Sequence, residues 1–148
     1  MRKRSRARGW ALQLLYAWEM RDRAVPLRQL LDDFTNERRI AVANRDYLET
    51  LIDTIQSHQR AIDIALDGAL TNWRLERLSV IDRNILRIGA AEMMFLSEIP
   101  PRVSIQEGIA LAEKYGTAES PRFVNGVLDA LMRQVGSAAD PTGPGDPR

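Results

Sequence analysis

Arg2, Lys3, Arg4, Arg6 and Arg8 crowd the first eight positions of the chain with no acid among them. Clustered cations of this kind are an electrostatic footprint for phosphate, so the arm suits a nucleic acid. A solvated basic terminus is the competing reading. Tyr16 lies about two helical turns beyond Arg8. A ring beside arginines can stack on an unpaired base, a contact of about 1–3 kcal/mol. The same ring, like Trp10 and Trp18, also fits a core boundary. Ser120-Pro121-Arg122-Phe123 is the second candidate. Ser120 reads as an N-cap followed by an N1 proline, opening a helix whose free amides and positive dipole end suit phosphate. Arg122 adds charge there and Phe123 a flat face, although Phe123 and Val127 also have the i, i+4 spacing of a core pair. Gly126 within that helix costs about 1 kcal/mol relative to alanine. Close helix packing or the close approach of a ligand would explain it.

Bond-making chemistry has no comparable set of residues. The single histidine, His58, lies beside an apolar stripe and reads as a packed or boundary side chain. A general base also needs a positioned partner. The chain has no cysteine, no H-E-x-x-H, no phosphate-binding glycine loop and no nucleophile elbow. The sequence therefore leads to expecting no catalytic residue, no metal and no cofactor. Arg83 and Arg87 sit one turn apart on an apolar segment and need carboxylates, with Glu92 and Glu107 the expected partners. Asp82, three residues after Ser79, reads as part of a capping pair.

The elements that must carry these residues are all helical. A first helix is expected from the arm to about Met20, with Leu12, Leu15 and Tyr16 at helical spacing, and a break over Arg21–Pro26. A second covers about Leu27–Asn36. Asn44 reads as the N-cap of a long third helix ending near Leu70, with Leu48, Leu51, Ile52, Ile55, Ile62 and Leu66 on one stripe. Ser79 starts a fourth, apolar on nearly every side and expected to be the most buried, which Pro100-Pro101 stops. Ser104 and Glu107 form an S-x-x-E capping box for a fifth helix over Ile105–Tyr115, with Gly116 after it. A sixth runs from Ser120 to about Val135, and the Gly- and Pro-rich tail, 136–148, reads as disordered. Asn125-Gly126 is no hairpin signal, because the residues around it are spaced for a helix.

With 45% apolar residues the chain can bury a real core, and its 148 residues suit one domain or two small packed bundles. Net charge is +1, so the cationic character is local to the arm. The basic start is followed by no secretory h-region and no run long enough to span a bilayer, which leads to an expected cytoplasmic location.

Taken in order, LSVIDRNILRIGAAEM, Pro100, VSIQEGIALAEKYG and SPRFVNGVLDAL resemble the C-terminal half of the NusB family, and RSRARGWALQLLYAW resembles its arginine-rich first helix. The resemblance covers roughly residues 4–135. It implies an all-α fold of two small helical bundles packed together, making residues 1–135 one RNA-binding domain with a basic arm. It implies binding of the boxA element of ribosomal RNA leader transcripts, together with NusE, a small-subunit ribosomal protein. Other Nus factors and RNA polymerase are reached indirectly, the outcome is suppression of premature termination, and no reaction is catalysed. By position, Arg4, Arg6 and Arg8 match the family's arginine-rich motif. Tyr16 and Phe123 match its RNA-contacting aromatics, Ser120 and Arg122 the turn that approaches RNA, and Asp82 an acid facing NusE.

Two departures bear on this. Ser5 stands where the family can have an arginine, and Glu119 places a longer acid near the RNA surface. Three other readings remain open from sequence: an accessory module of an RNA methyltransferase, a protein adaptor whose arm only solubilises, and a homodimer that hides the RNA surface. Affinity and the bases read are not encoded in any motif here. If the first and last helices are neighbours, the arm, Tyr16 and the Ser120–Phe123 turn become one surface.

Overall fold

The structure, a computed structural model, describes residues 2–139, and among these it contains helices and no strand. The elements are α1 (Arg2–Met20), α2 (Leu27–Glu37), α3 (Val42–Ser57), α4 (Gln59–Ala69), α5 (Val80–Phe95), α6 (Pro101–Tyr115) and α7 (Ser120–Ala139), with one 3-10 turn at Leu75–Arg77. Helices α1, α2 and α3 pack as one bundle, and α4, α5, α6 and α7 as a second. Helix α5 belongs to both, because it also lies against α1 and α3. That position accounts for its composition. Every residue from Asn84 to Met93 is buried, so it must be apolar, small or internally paired all round. The all-α architecture of two joined bundles is the one expected.

Helix α5 starts as its sequence dictates: the Ser79 hydroxyl accepts from the Asp82 amide at 3.1 Å. Small residues then set how closely α5, α6 and α7 approach. A Cβ added at Gly89 or at Gly108 would lie 2.9 Å from a Leu128 methyl carbon. These two glycines are there so that α7 can press onto α5 and α6.

Four boundaries differ from the sequence reading. The expected long third helix is two helices, α3 and α4, separated at His58 (φ −121°, ψ 22°). Because α3 packs in one bundle and α4 in the other, the chain must bend there. A one-residue break keeps the apolar stripe nearly continuous, which hides it from periodicity. Helix α3 also begins at Val42, so Asn44 lies inside the first turn and caps nothing. Helix α6 begins at Pro101 rather than Ile105. Proline suits the first helical position because it lacks the amide that would go unpaired. Ser104 is therefore inside the helix, and its hydroxyl donates to Glu92 at 2.7 Å instead of capping. Helix α7 continues through Ala139, four residues past the expected end, and the rest of the expected tail, 140–148, lies outside the described residues.

Candidate nucleic-acid interface

The arginine run does not act as one patch, because a helix sends residues two apart to nearly opposite faces. With α1 beginning at Arg2, Arg6 points away from Arg4 and Arg8, which sit one turn apart and both lie over the Tyr47 ring. Arg4 is half-buried, its guanidinium 5.1 Å above the Tyr47 ring on the α3 side. Arg6 is exposed and lines a groove between α1 and α6. Arg8 is 1% exposed. Its Nε donates to Glu92 Oε2 at 2.6 Å and its Nη1 to Glu107 Oε1 at 3.1 Å. Nε and Nη1 of Arg8 are engaged inside the protein, and its burial speaks against the expected phosphate contact.

Around Arg8 a buried polar network joins four helices. Glu92 of α5 also accepts from Tyr47 of α3 at 2.5 Å and from Ser104 of α6 at 2.7 Å. Burial pulls the Arg8 pKa down, but the charge and hydrogen bond of Glu92, aided by Tyr47 and Glu107, outweigh it and leave it raised. Burial and the bond to Glu92 likewise push the Tyr47 phenol far above its usual value, so it stays a donor. Glu92 and Glu107 thus serve Arg8, not Arg83 and Arg87 as expected. The latter two find Glu19: Arg83 Nη2 at 2.8 Å and Arg87 Nη1 at 2.9 Å, with Arg87 also bidentate on Asp63. No spacing rule reaches this, because Glu19 comes from the other bundle and Asp63 from a separate helix of the same one.

The α1/α6 groove has a volume of about 300 Å³, and Arg6, Gly9, Gln13, Lys114 and Tyr115 are among its lining residues. The two helices run side by side in the same direction, since Arg8 meets Glu107 and Gln13 Nε2 meets the Tyr115 hydroxyl at 3.4 Å. The α6–α7 turn consequently lands near the part of α1 that holds Gln13 and Tyr16. Helix α6, rather than direct packing of α1 on α7, links the two ends of the chain. Tyr16 is 41% exposed, as a stacking ring needs. It is not in line with Arg8, because eight residues leave it about 80° round the helix. It projects between the Arg8 side and the face of Arg6 and Gln13, about 80° from Arg6 and about 60° from Gln13. Gln13, Lys114 and Tyr115 were legible only once α6 was known to lie alongside.

At the α7 start, Arg122 is exposed and Phe123 half-buried. Ser120 is 1% exposed. Its Oγ accepts from the Thr117 amide at 2.9 Å, within the turn, and a Cβ on Gly116 would meet it at 2.5 Å. The expected N-cap role of Ser120 is corrected, since its hydroxyl closes the turn, and its burial speaks against the expected RNA contact. Phe123 lines a second groove, of about 460 Å³, together with Trp73, Arg77, Asp82 and Glu119. Trp73 is 60% exposed, and Asp82 Oδ1 is buried with no hydrogen-bond partner among the described residues. An exposed indole beside an orphaned carboxylate oxygen suits a docking protein that brings a donor. Trp73 was missed because it stands alone in an irregular segment. Gly126 faces open space, so packing does not account for it. His58 also has no catalytic setting: it is exposed, stacked on Phe95 at 3.9 Å between ring centroids. Among the described residues there is no cluster of metal-ligating side chains and no helix long and apolar enough to cross a membrane.

The sequence profile of the NusB family matches residues 5–133. The chain belongs to the NusB family. It is 42% identical over 128 residues to the transcription antitermination protein NusB of Trichlorobacter lovleyi, covering 86% of this chain and 89% of that protein. It superposes on NusB of T. maritima with a TM-score of 0.80 at 37% identity, covering 88% of this chain and 91% of the other. It also superposes, with a TM-score of 0.81 at 32% identity and coverage of 90% and 98%, on a chain from the crystal structure of antitermination factors NusB and NusE in complex with double-stranded RNA.

Proposed function

We propose that this protein is a cytoplasmic transcription antitermination factor without catalytic activity. It binds the boxA segment of nascent ribosomal RNA leaders together with NusE, and through that complex reaches other Nus factors and RNA polymerase. The observation that carries the RNA half is the α1/α6 groove lined by Arg6 and Lys114, with Tyr16 exposed farther along α1 and Arg122 exposed at the start of α7. Arg4, Arg6 and Arg122 hold phosphates, and Tyr16 offers an exposed face to a base. Phe123 sits at the junction with the second groove. There Asp82 and Trp73 meet the ribosomal protein, so one ring borders both partners. A structural neighbour that carries NusE and RNA together is the support from outside the chain.

The test is a binding titration with a boxA-like RNA oligonucleotide and a scrambled control, with and without NusE. The boxA-like RNA should bind more tightly than the control, and NusE should tighten it further. Equal binding of both oligonucleotides in the presence of NusE would refute the reading.

A further inference from the structure

Gly9 lies in the interior of α1, a 19-residue helix, where glycine costs about 1 kcal/mol relative to alanine. Packing does not require it. A Cβ built at Gly9 meets no atom within 4 Å, in contrast to Gly89 and Gly108, whose Cβ positions would strike Leu128. The bare backbone lies in the α1/α6 groove, with Arg6 and Lys114 among the other lining residues. Arg38 approaches from beyond α2, donating to Gln13 Oε1 at 3.1 Å. The acid lining the groove, Glu107, is already paired with Arg8. The local field is thus positive.

The Gln13 amide is oriented rather than free to rotate. Arg38 holds its oxygen, and the acceptor for its nitrogen among the described residues is the Tyr115 hydroxyl at 3.4 Å, a long contact that a better acceptor would displace. Tyr115 is half-buried and forms part of the wall. A cleft with cations at its rim, a fixed amide donor, an aromatic wall and a side-chain-free floor fits one splayed-out nucleotide of single-stranded RNA.

We infer that the α1/α6 groove is a nucleotide seat, in which a base enters over Gly9 and is read by the Gln13 amide while Arg6 and Lys114 hold the adjoining phosphates. This deepens the RNA reading above and rests on it. It assigns RNA-binding roles to Gly9, Gln13, Lys114 and Tyr115 that the arginine arm does not include.

The full-length chain, a boxA-like single-stranded RNA oligonucleotide and its scrambled control supply the test. Gly9→Ala should raise the melting temperature, because a better helix former replaces glycine in open space. Gly9→Leu should fold, since a Cβ there meets no atom within 4 Å and the side chain can extend into the open groove, and should weaken RNA binding about tenfold, the loss of one seated base. Gln13→Ala should lower the preference for the boxA-like over the scrambled RNA while leaving the salt dependence unchanged, which a merely structural glutamine would not do. A Gly9→Leu protein that binds RNA as the native chain does overturns the seat. If the native chain binds RNA and Phe123→Ala weakens it while Gly9→Leu does not, the RNA reading stands and the seat falls. If the native chain binds no RNA with NusE present, the RNA reading itself fails.

Discussion

Arg8 Nε lies 2.6 Å from Glu92 Oε2, and both side chains are almost fully buried. An arginine from the basic arm therefore anchors the arm instead of reaching out from it. Its pairing ties α1 to α5, and through Tyr47, Ser104 and Glu107 to α3 and α6. The direction in which Arg4 and Arg6 leave the surface follows from that anchor. Removing either partner leaves an uncompensated charge in the interior, which costs more than the intact pair contributes.

Glu92→Ala should destabilise the protein by about 3–5 kcal/mol, the range for breaking a buried ion pair. Denaturant unfolding followed by circular dichroism measures it. Arg8→Met alone should also be costly, and the double variant should lose less than the sum of the single losses. Strict additivity would show that the two side chains do not interact energetically.

Salt dependence separates the arginines by role. Each phosphate neutralised on a single strand adds about 0.7 to the log–log slope of RNA affinity against salt. Arg6→Ala should lower the slope by about that amount. Arg8→Met should weaken binding through misplacement of the arm while leaving the slope of the folded protein as it was. A slope that falls equally in both variants would make Arg8 a phosphate ligand.

Glu19 sets an acid limit on stability. Burial would raise its pKa, but hydrogen bonds from Arg83 and Asn84 and the charges of Arg87 and Arg83 hold it below the ordinary 4.5. A carboxylate depressed in the folded state contributes stability that is complete above its unfolded pKa and lost as pH falls through the folded one. The melting temperature should therefore decline as pH drops below about 4.5. Glu19→Gln should melt lower than the native chain at neutral pH and show a shallower decline over that window. Parallel curves for the two proteins would remove Glu19 from the acid response.

Much of this fold is written in local pattern. Ser79 caps α5 as its type and spacing dictate, and the apolar periodicity places the buried faces of α2, α3 and α5. What escapes is tertiary. The S-x-x-E signal at Ser104 and Glu107 is genuine chemistry, but Glu92 and Arg8 claim those side chains from other helices. The bend at His58 leaves the hydrophobic stripe nearly undisturbed and is visible only in which bundle each half joins. The candidate site divides in the same way. Exposed Arg6, Tyr16 and Arg122 fit what their residue types suggest, whereas Arg8 and Ser120 carry the right types and are buried. Composition cannot distinguish an arginine that meets phosphate from one that meets a buried carboxylate.

The groove at the α7 start gives the two partners separable signatures. Asp82 Oδ1 is buried without a donor among the described residues, and Trp73, 60% exposed, lines the same groove. A docking protein that donates to Asp82 and covers Trp73 recovers both, and central aromatic contacts of this kind cost about 2 kcal/mol or more when truncated. Asp82→Lys and Trp73→Ala should therefore weaken NusE binding strongly, yet leave RNA binding by the isolated chain nearly unchanged. Phe123→Ala should weaken both, because its ring borders the groove and follows Arg122 on the RNA path. Calorimetric titration of each variant with NusE, and separately with RNA, reads the two losses. Equal losses of both ligands in Asp82→Lys would mean that its charge acts on the RNA surface and not at a docking face.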